Sequence, residues 1–175
     1  TTIIGWALRH GQNDMVAYLL KSFDYPVGYR SWDRMVFLEN GFLSGRRFTV
    51  TYALTITNVK VTSRYLKHIA GGGNFEIIKE YREYFGEEVF HSELQGMIEE
   101  AFTYQRHHMV WYLVTTTDFS DWNGLLKDAI SNYSIPLVRL CLDRGVTNID
   151  ERLEQAKLNN KLAIVRMLED FQRLV

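Results

Sequence analysis

The adjacent histidines His107 and His108, with His91 and Cys141 elsewhere, are the residues whose types could hold a soft divalent metal. Such a site needs converging ligands, and neighbouring residues on a helix point about 100° apart. No Cys-x-x-Cys or His-x-x-x-His spacing supports them. The pair therefore reads as a turn and helix start, and no metal or cofactor is expected. Gly71-Gly72-Gly73 before a helix could cradle a phosphate, but the sequence lacks the GxxxxGK[ST] pattern and its lysine. It reads as a junction between helices that could flex. Glu87-Glu88 and Glu99-Glu100 are adjacent acids, which suits solvated faces better than a general acid–base dyad. With no Gly-x-Ser-x-Gly and no kinase signature set, no catalytic residue is assigned.

The bulk properties narrow the class further. At 175 residues, 46% hydrophobic and 23% charged, the chain can bury a core and is not disordered. A net charge of −1 gives no global field for nucleic acid or an anionic membrane. One cysteine excludes an internal disulfide framework and suggests a reducing, intracellular setting. No apolar run approaches the roughly 20 residues that span a bilayer. The absence of an initiating Met suggests a domain cut from a longer polypeptide.

Charge is uneven along the chain. Residues 40–75 carry Arg46, Arg47, Lys60, Arg64 and Lys67 and no acid, whereas residues 76–100 carry eight glutamates against Lys79 and Arg82. Pairing between neighbouring elements explains this most simply. A bipolar binding surface or self-association by complementary charge is the functional alternative. Nucleic-acid binding through the basic segment at 40–68 is a weak third reading, resting on five charges and stackable Tyr52 and Tyr65.

The elements that would position these residues follow from a repeated template. An alanine is followed eight and nine residues later by an aliphatic pair, and by a further hydrophobic residue three positions after that. Ala7…Met15-Val16…Leu19, Ala101…Met109-Val110…Leu113, Ala129…Leu137-Val138…Cys141 and Ala156…Ile164-Val165…Leu168 fit it. Ile69…Ile77-Ile78 is a weaker copy. A period near 30 with helical internal spacing predicts stacked helix pairs. In the copy at 124–145, Ser134 can cap the second helix, Pro136 sits in its first turn and Gly145 terminates it. Asn159-Asn160 makes the corresponding turn of the last copy, with Ile164, Val165, Leu168 and Phe171 facing inward.

The start positions 7, 69, 101, 129 and 156 leave one gap of 62 residues, room for a sixth unit between about 30 and 65. Phe48-Thr49-Val50-Thr51-Tyr52 there alternates as a strand would, and Thr55-Ile56-Thr57 continues the β-branched run. A degenerate helical repeat is preferred, because a lone strand in a helical stack has no pairing partner. A small β-hairpin insertion around 40–57, turning at Asn40-Gly41 or Ser44-Gly45, is the alternative.

Alanine, then Gly four later, aliphatics at eight and nine, and Leu at twelve and thirteen resembles the ankyrin repeat. Ala7, Gly11, Met15, Val16, Leu19 and Leu20 carry the likeness in the first unit. Ala129, Leu137, Val138, Cys141, Leu142 and Gly145 carry it in another. No unit has the Thr-Pro-Leu-His start of an ankyrin helix pair; Thr2 alone matches its Thr. The eroded repeats, rich in Asn, Tyr and Phe, are similar to those of large DNA viruses, notably asfarvirus-type multigene families. The resemblance implies an all-α solenoid of five or six helix pairs over 1–175, forming a single helical-repeat domain. It implies a non-enzymatic protein-interaction module whose partner is a host protein in the host cytoplasm, in innate-immune signalling. A self-associating structural piece of a larger protein is the alternative. Such arrays bind through first helices and adjoining loops, which points to Arg9, His10, Tyr104, Arg106 and His107. Off-template aromatics Trp32, Trp111 and Trp122 are further anchor candidates, with Arg46 and Arg47 from the basic segment.

Overall fold

The computed structural model describes residues 3–22 and 31–174; the side chains of Ser31, Trp32 and Leu174 fall outside that description, as do Thr2 and Pro26. Thirteen α-helices, one 3-10 turn and no strand occur among the described residues. They are α1 (Ile3–Arg9), α2 (Asn13–Ser22), α3 (Ser31–Leu43), α4 (Arg47–Thr57), α5 (Leu66–Gly72), α6 (Phe75–Phe85) and α7 (Glu87–Ser92). Then follow α8 (Leu94–Thr103), α9 (His107–Thr116), α10 (Trp122–Ser131), α11 (Ile135–Asp143), α12 (Ile149–Leu158) and α13 (Leu162–Leu174). They group into two compact units, Thr1–Leu113 and Val114–Val175. No helix among the described residues is long and apolar enough to cross a membrane.

The template maps onto six helix pairs. Counting the template start as position 0, the second helix begins at position 6 in every pair: Asn13, Arg47, Phe75, His107, Ile135 and Leu162. Position 4 lies in the left-handed region each time, in Gly11, Gly45, Gly73, Gln105, Tyr133 and Asn160, at φ between 53° and 76°. Its amide donates to the carbonyl of position 1 at 2.9–3.1 Å in all six. In four pairs the amide of position 5 also reaches back to the carbonyl of position 0: Gln12 to Ala7, Arg106 to Ala101, Ser134 to Ala129 and Lys161 to Ala156. These two bonds make a Schellman cap, which satisfies carbonyls left open at the end of the first helix. The template alanine is the residue whose carbonyl closes that cap. It has no side chain beyond Cβ, which suits a position that is fully buried at Ala7, Ala101, Ala129 and Ala156.

The sixth pair fills the gap. Its position 0 is Gly41, 34 residues after Ala7 and 28 before Ile69, with Gly45 at position 4 and Thr49-Val50 at 8 and 9. The β-hairpin alternative is incorrect, because residues 47–57 are helical. Thr49, Val50, Ala53 and Thr57 are buried at helical spacing, and that burial overrides the strand propensity of the run. The Thr55 and Thr57 hydroxyls bond the carbonyls four residues back, at 2.9 and 2.7 Å, so they need no other partner. Gly41 is glycine because a β-carbon there would collide with the Ala53 methyl, so the two helices of the pair approach more closely than alanine allows. The extra helix α7 after Gly86 accounts for the longer 32-residue spacing between Ile69 and Ala101.

First helices pack on one another: α1 on α3, α3 on α5 and α5 on α8 in one unit, α10 on α12 in the other. Phe37, Phe42, Tyr65, Phe90 and Met97 are among the largest fully buried side chains. Burying each contributes about 1.5–3 kcal/mol. Two inward-facing expectations shift: Val165 and Phe171 are half-buried, on the last helix, where no following pair covers them among the described residues. Ser134 precedes α11 as expected but makes no side-chain cap; its hydroxyl is buried without a hydrogen-bond partner.

Candidate functional site

The turns carry a second repeated feature that places several sequence-predicted residues. In four pairs the side chain at position 5 reaches back to the turn of the preceding pair. Arg46 lies on the Gly11 turn, its Cδ and guanidinium occupying the space a β-carbon would take. Asn74 Nδ2 donates to the Gly45 carbonyl at 2.9 Å, while its Oδ1 caps α6 through the amides of Glu76 and Ile77. Arg106 packs its stem against Gly73, and its Nε donates to the Gly71 carbonyl at 3.3 Å. Lys161 Nζ donates to the Ser131 carbonyl at 2.9 Å and lies 5.3 Å from the Tyr133 ring centre. Arg46 and Arg106 are thus engaged in holding turns, a role that spacing alone did not reveal.

Arg9 and Tyr104 are brought together. Tyr104, at the end of α8, lies against Gly71, where a β-carbon would crowd its ring. The Arg9 guanidinium sits over that ring at 4.4 Å from its centre, a cation–π contact. His10 is exposed and its ring lies 4.4 Å from that of Trp6, tilted by 41°, and Trp6 is itself 52% exposed. The ends of α1 and α8 therefore present arginine and three rings together. Trp6 was missed in the sequence because it falls just before the template alanine, beside residues read as core.

The other candidates lie apart from this group. Arg47 is exposed and pairs with Glu80 at 2.6 Å, joining the basic segment to the acidic one. His107 is half-buried, 6.0 Å from the Phe102 ring, and its Nε2 is buried without a partner. Burial, with help from His108, lowers its pKa. Trp111 on α9 is 41% exposed. In the second unit Trp122 is half-buried between Phe119, at 5.1 Å, and Arg144, at 4.9 Å. Trp32 is the second residue of α3, and its side chain lies outside the described residues.

The histidines considered for metal binding have separate surroundings. His108 Nε2 lies 3.1 Å from the Gly73 carbonyl and His91 Nδ1 2.8 Å from that of Glu87. Cys141 is buried in the second unit, and burial pushes its thiol up to about 12. No group of three His, Cys, Asp or Glu among the described residues could hold a metal ion. The three glycines at 71–73 prove to be tightly packed and not a loose hinge. A β-carbon on Gly71 would meet Leu43 and Tyr104, and one on Gly72 would overlap the Phe42 carbonyl.

One titratable cluster was not anticipated. His68 on α5 lies between Glu100 of α8, Nδ1 to Oε1 at 3.1 Å, and Glu39 of α3, Nε2 to Oε1 at 3.8 Å. Burial lowers its pKa; the two carboxylates pull the other way without prevailing, and Lys67 adds to the lowering. The neutral ring donates from Nδ1 to Glu100 in that state. The signal was present as the residues one or two before template starts, but it emerges only once Gly41 is recognised as one.

Of the clefts, one in the second unit, of about 540 Å³, is lined by Val146, Ile149, Asp150 and Phe171 among others. Asp150 is the one titratable residue in that lining, so no acid–base or nucleophile–base set converges there. No protein-family description, curated protein or solved structure matches the chain.

Proposed function

We propose that the chain is a non-enzymatic protein-interaction module, an ankyrin-like solenoid of helix pairs that binds its partner through the ends of its first helices. The observation that carries this reading is the Arg9–Tyr104 contact beside the exposed, tilted Trp6–His10 ring pair. Arginine, tryptophan and tyrosine dominate protein-interface hot spots, because each offers a large contact area with a polar handle. The likeness to repeats of large DNA viruses makes that partner a host protein in the cytoplasm, in innate-immune signalling.

The basic segment gives the nucleic-acid alternative little support. Arg46 lies on a turn, Arg47 pairs with Glu80, and Arg64 donates to the Tyr65 hydroxyl at 2.7 Å. The Arg47–Glu80 pair likewise spends within one molecule the charge that self-association would use.

The test is affinity capture from host lysate with the wild-type chain and with Trp6→Ala plus Arg9→Ala. A specific partner is expected with the former and at least tenfold less with the latter, at unchanged far-UV circular dichroism. Equal recovery by both would sink this surface as the binding site. Sedimentation at low and high salt tests the structural alternative: a salt-sensitive oligomer supports self-association, and a monomer throughout removes it.

A further inference from the structure

One charge pattern recurs on the second helices of the last two pairs. Position 10 is Arg139 in the pair that starts at Ala129 and Arg166 in the pair that starts at Ala156; position 14 is Asp143 and then Asp170. In the four pairs before them these positions are Ala17 and Lys21, Thr51 and Thr55, Lys79 and Glu83, and Trp111 and Thr115. No other neighbouring pairs share a charged pattern there. α11 packs on α13, and all four charged side chains line one cleft of about 410 Å³, with half-buried Met167 and Phe171 beside them. The cleft therefore carries a rung of two arginines and, one helical turn further on, a rung of two aspartates.

These charges are not used within the chain. Arg139, Asp143 and Arg166 make no hydrogen bond or ion pair among the described residues. Asp170 meets Arg173 at 3.5 Å, with both side chains more than 70% exposed, so water screens that pair. Both helices also carry the pattern against their own dipoles. Asp143 closes α11 at its negative end, and Asp170 stands four residues from the end of α13. A basic residue four ahead of an acid is also the weaker order for pairing within one helix. The rungs thus stabilise the monomer little and fit a partner that offers the opposite charge at each.

We infer that the α11–α13 face pairs two copies of this chain about a two-fold axis that runs across both helices, between the arginine rung and the aspartate rung. The rungs lie about 6 Å apart along the helices, four residues at a rise of about 1.5 Å each. Rotation about that axis lays α11 on its own equivalent and α13 on its own, antiparallel. Every arginine then faces an aspartate of the other copy, and the negative end of α11 meets a cation. A two-fold axis along the helices would instead set arginine on arginine and aspartate on aspartate, so the pattern selects the first axis. Closing the cleft also takes Met167 and Phe171 out of water. None of the charges at 40–100 takes part. The face belongs to the second unit, whereas Trp6 and Arg9 belong to the first, so the inference does not rest on the partner-binding proposal.

Sedimentation equilibrium of the whole chain at low salt should show a monomer–dimer equilibrium that high salt weakens at least tenfold. Arg139→Asp with Arg166→Asp, and Asp143→Arg with Asp170→Arg, should each be monomeric at unchanged far-UV circular dichroism. The two variants mixed in equal amounts should form a heterodimer. Trp6→Ala with Arg9→Ala should dimerise as the wild type does, which separates this face from the partner surface. Orientation is read by crosslinking under mild oxidation: Arg166→Cys and Asp170→Cys should join in a mixture at least tenfold faster than either variant joins itself. A chain that stays monomeric at low salt at the highest concentration attained overturns the inference and leaves the rungs to a different partner. A dimer that either double reversal leaves intact, or Arg166→Cys joining itself as fast as the mixture, overturns it as well.

Discussion

At the scale of single residues, the six left-handed turn positions are the sharpest case of backbone dictating side chain. Three are glycine, and Gln105, Tyr133 and Asn160 carry a side chain at positive φ. An L-residue pays about 1–2 kcal/mol there. Gln105→Gly should therefore stabilise the fold by about 0.5–1 kcal/mol in chemical denaturation. Gly45→Ala should destabilise it by more than about 2 kcal/mol, because the new methyl both strains the backbone and overlaps the Gly72 carbonyl. His68 gives a pH signature. Burial holds its folded pKa below the ordinary 6.5, so the unfolded chain takes up the proton first on acidification. Its contribution to stability is complete above pH 6.5 and falls as pH drops towards the lower folded value. His107, lowered in the same direction, adds to that slope. Melting temperature followed from neutral to mildly acidic pH should decline, and His68→Gln should flatten part of the decline. An unchanged slope in that variant would remove His68 as the cause.

At the scale of helices, the repeat was legible wherever its burial pattern used ordinary aliphatic residues. Ala7, Ala101, Ala129 and Ala156 lead their copies, and the buried pairs that follow are Met, Leu, Ile and Val, except that Met15 is exposed and Val165 half-buried. The pair α3–α4 escaped the template because both of its signals are disguised. Gly41 replaces alanine where two helices touch, and Thr49 replaces an aliphatic where its hydroxyl accepts from Asn13 Nδ2 at 3.2 Å. A helix side chain that hydrogen-bonds its neighbour looks, in a sequence, like a strand residue. The site was less legible than the fold. That Arg9 meets Tyr104 depends on residues 95 apart in the chain and on small Gly71 against the Tyr104 ring, which no local spacing records. Packing between pairs is where stability resides. Phe42→Ala, which strips the contacts to Tyr65 and Tyr81, should cost about 3–5 kcal/mol in denaturant unfolding.

For the molecule as a whole, the uneven charge distribution resolves into local partnerships. Arg47 pairs with Glu80, Arg82 with Glu87 at 2.7 Å, and Lys79 with Glu76 at 3.5 Å. Both partners of the Arg47–Glu80 pair are more than half exposed, so water screens much of their attraction. Arg47→Ala should shift stability by less than about 1 kcal/mol, and high salt should change the wild-type melting temperature little. A large loss in either measurement would mean that surface charge holds the fold more firmly than its exposure allows.

The reach-back from position 5 also gives the fold a grammar of dependence. Four of the six turns are secured by the helix pair that comes after them: Gly11 by Arg46, Gly45 by Asn74, Gly73 by Arg106, Tyr133 by Lys161. Support flows backwards along the chain, so within each unit a pair can lose its predecessor and keep its own clasp, but not its successor. The turn at Asn159–Asn160 has no successor among the described residues to supply one. It should open more readily than the four clasped turns, with the Asn160 amide exchanging faster than its counterpart at Gly73, although both amides make the same turn bond at 3.0 Å.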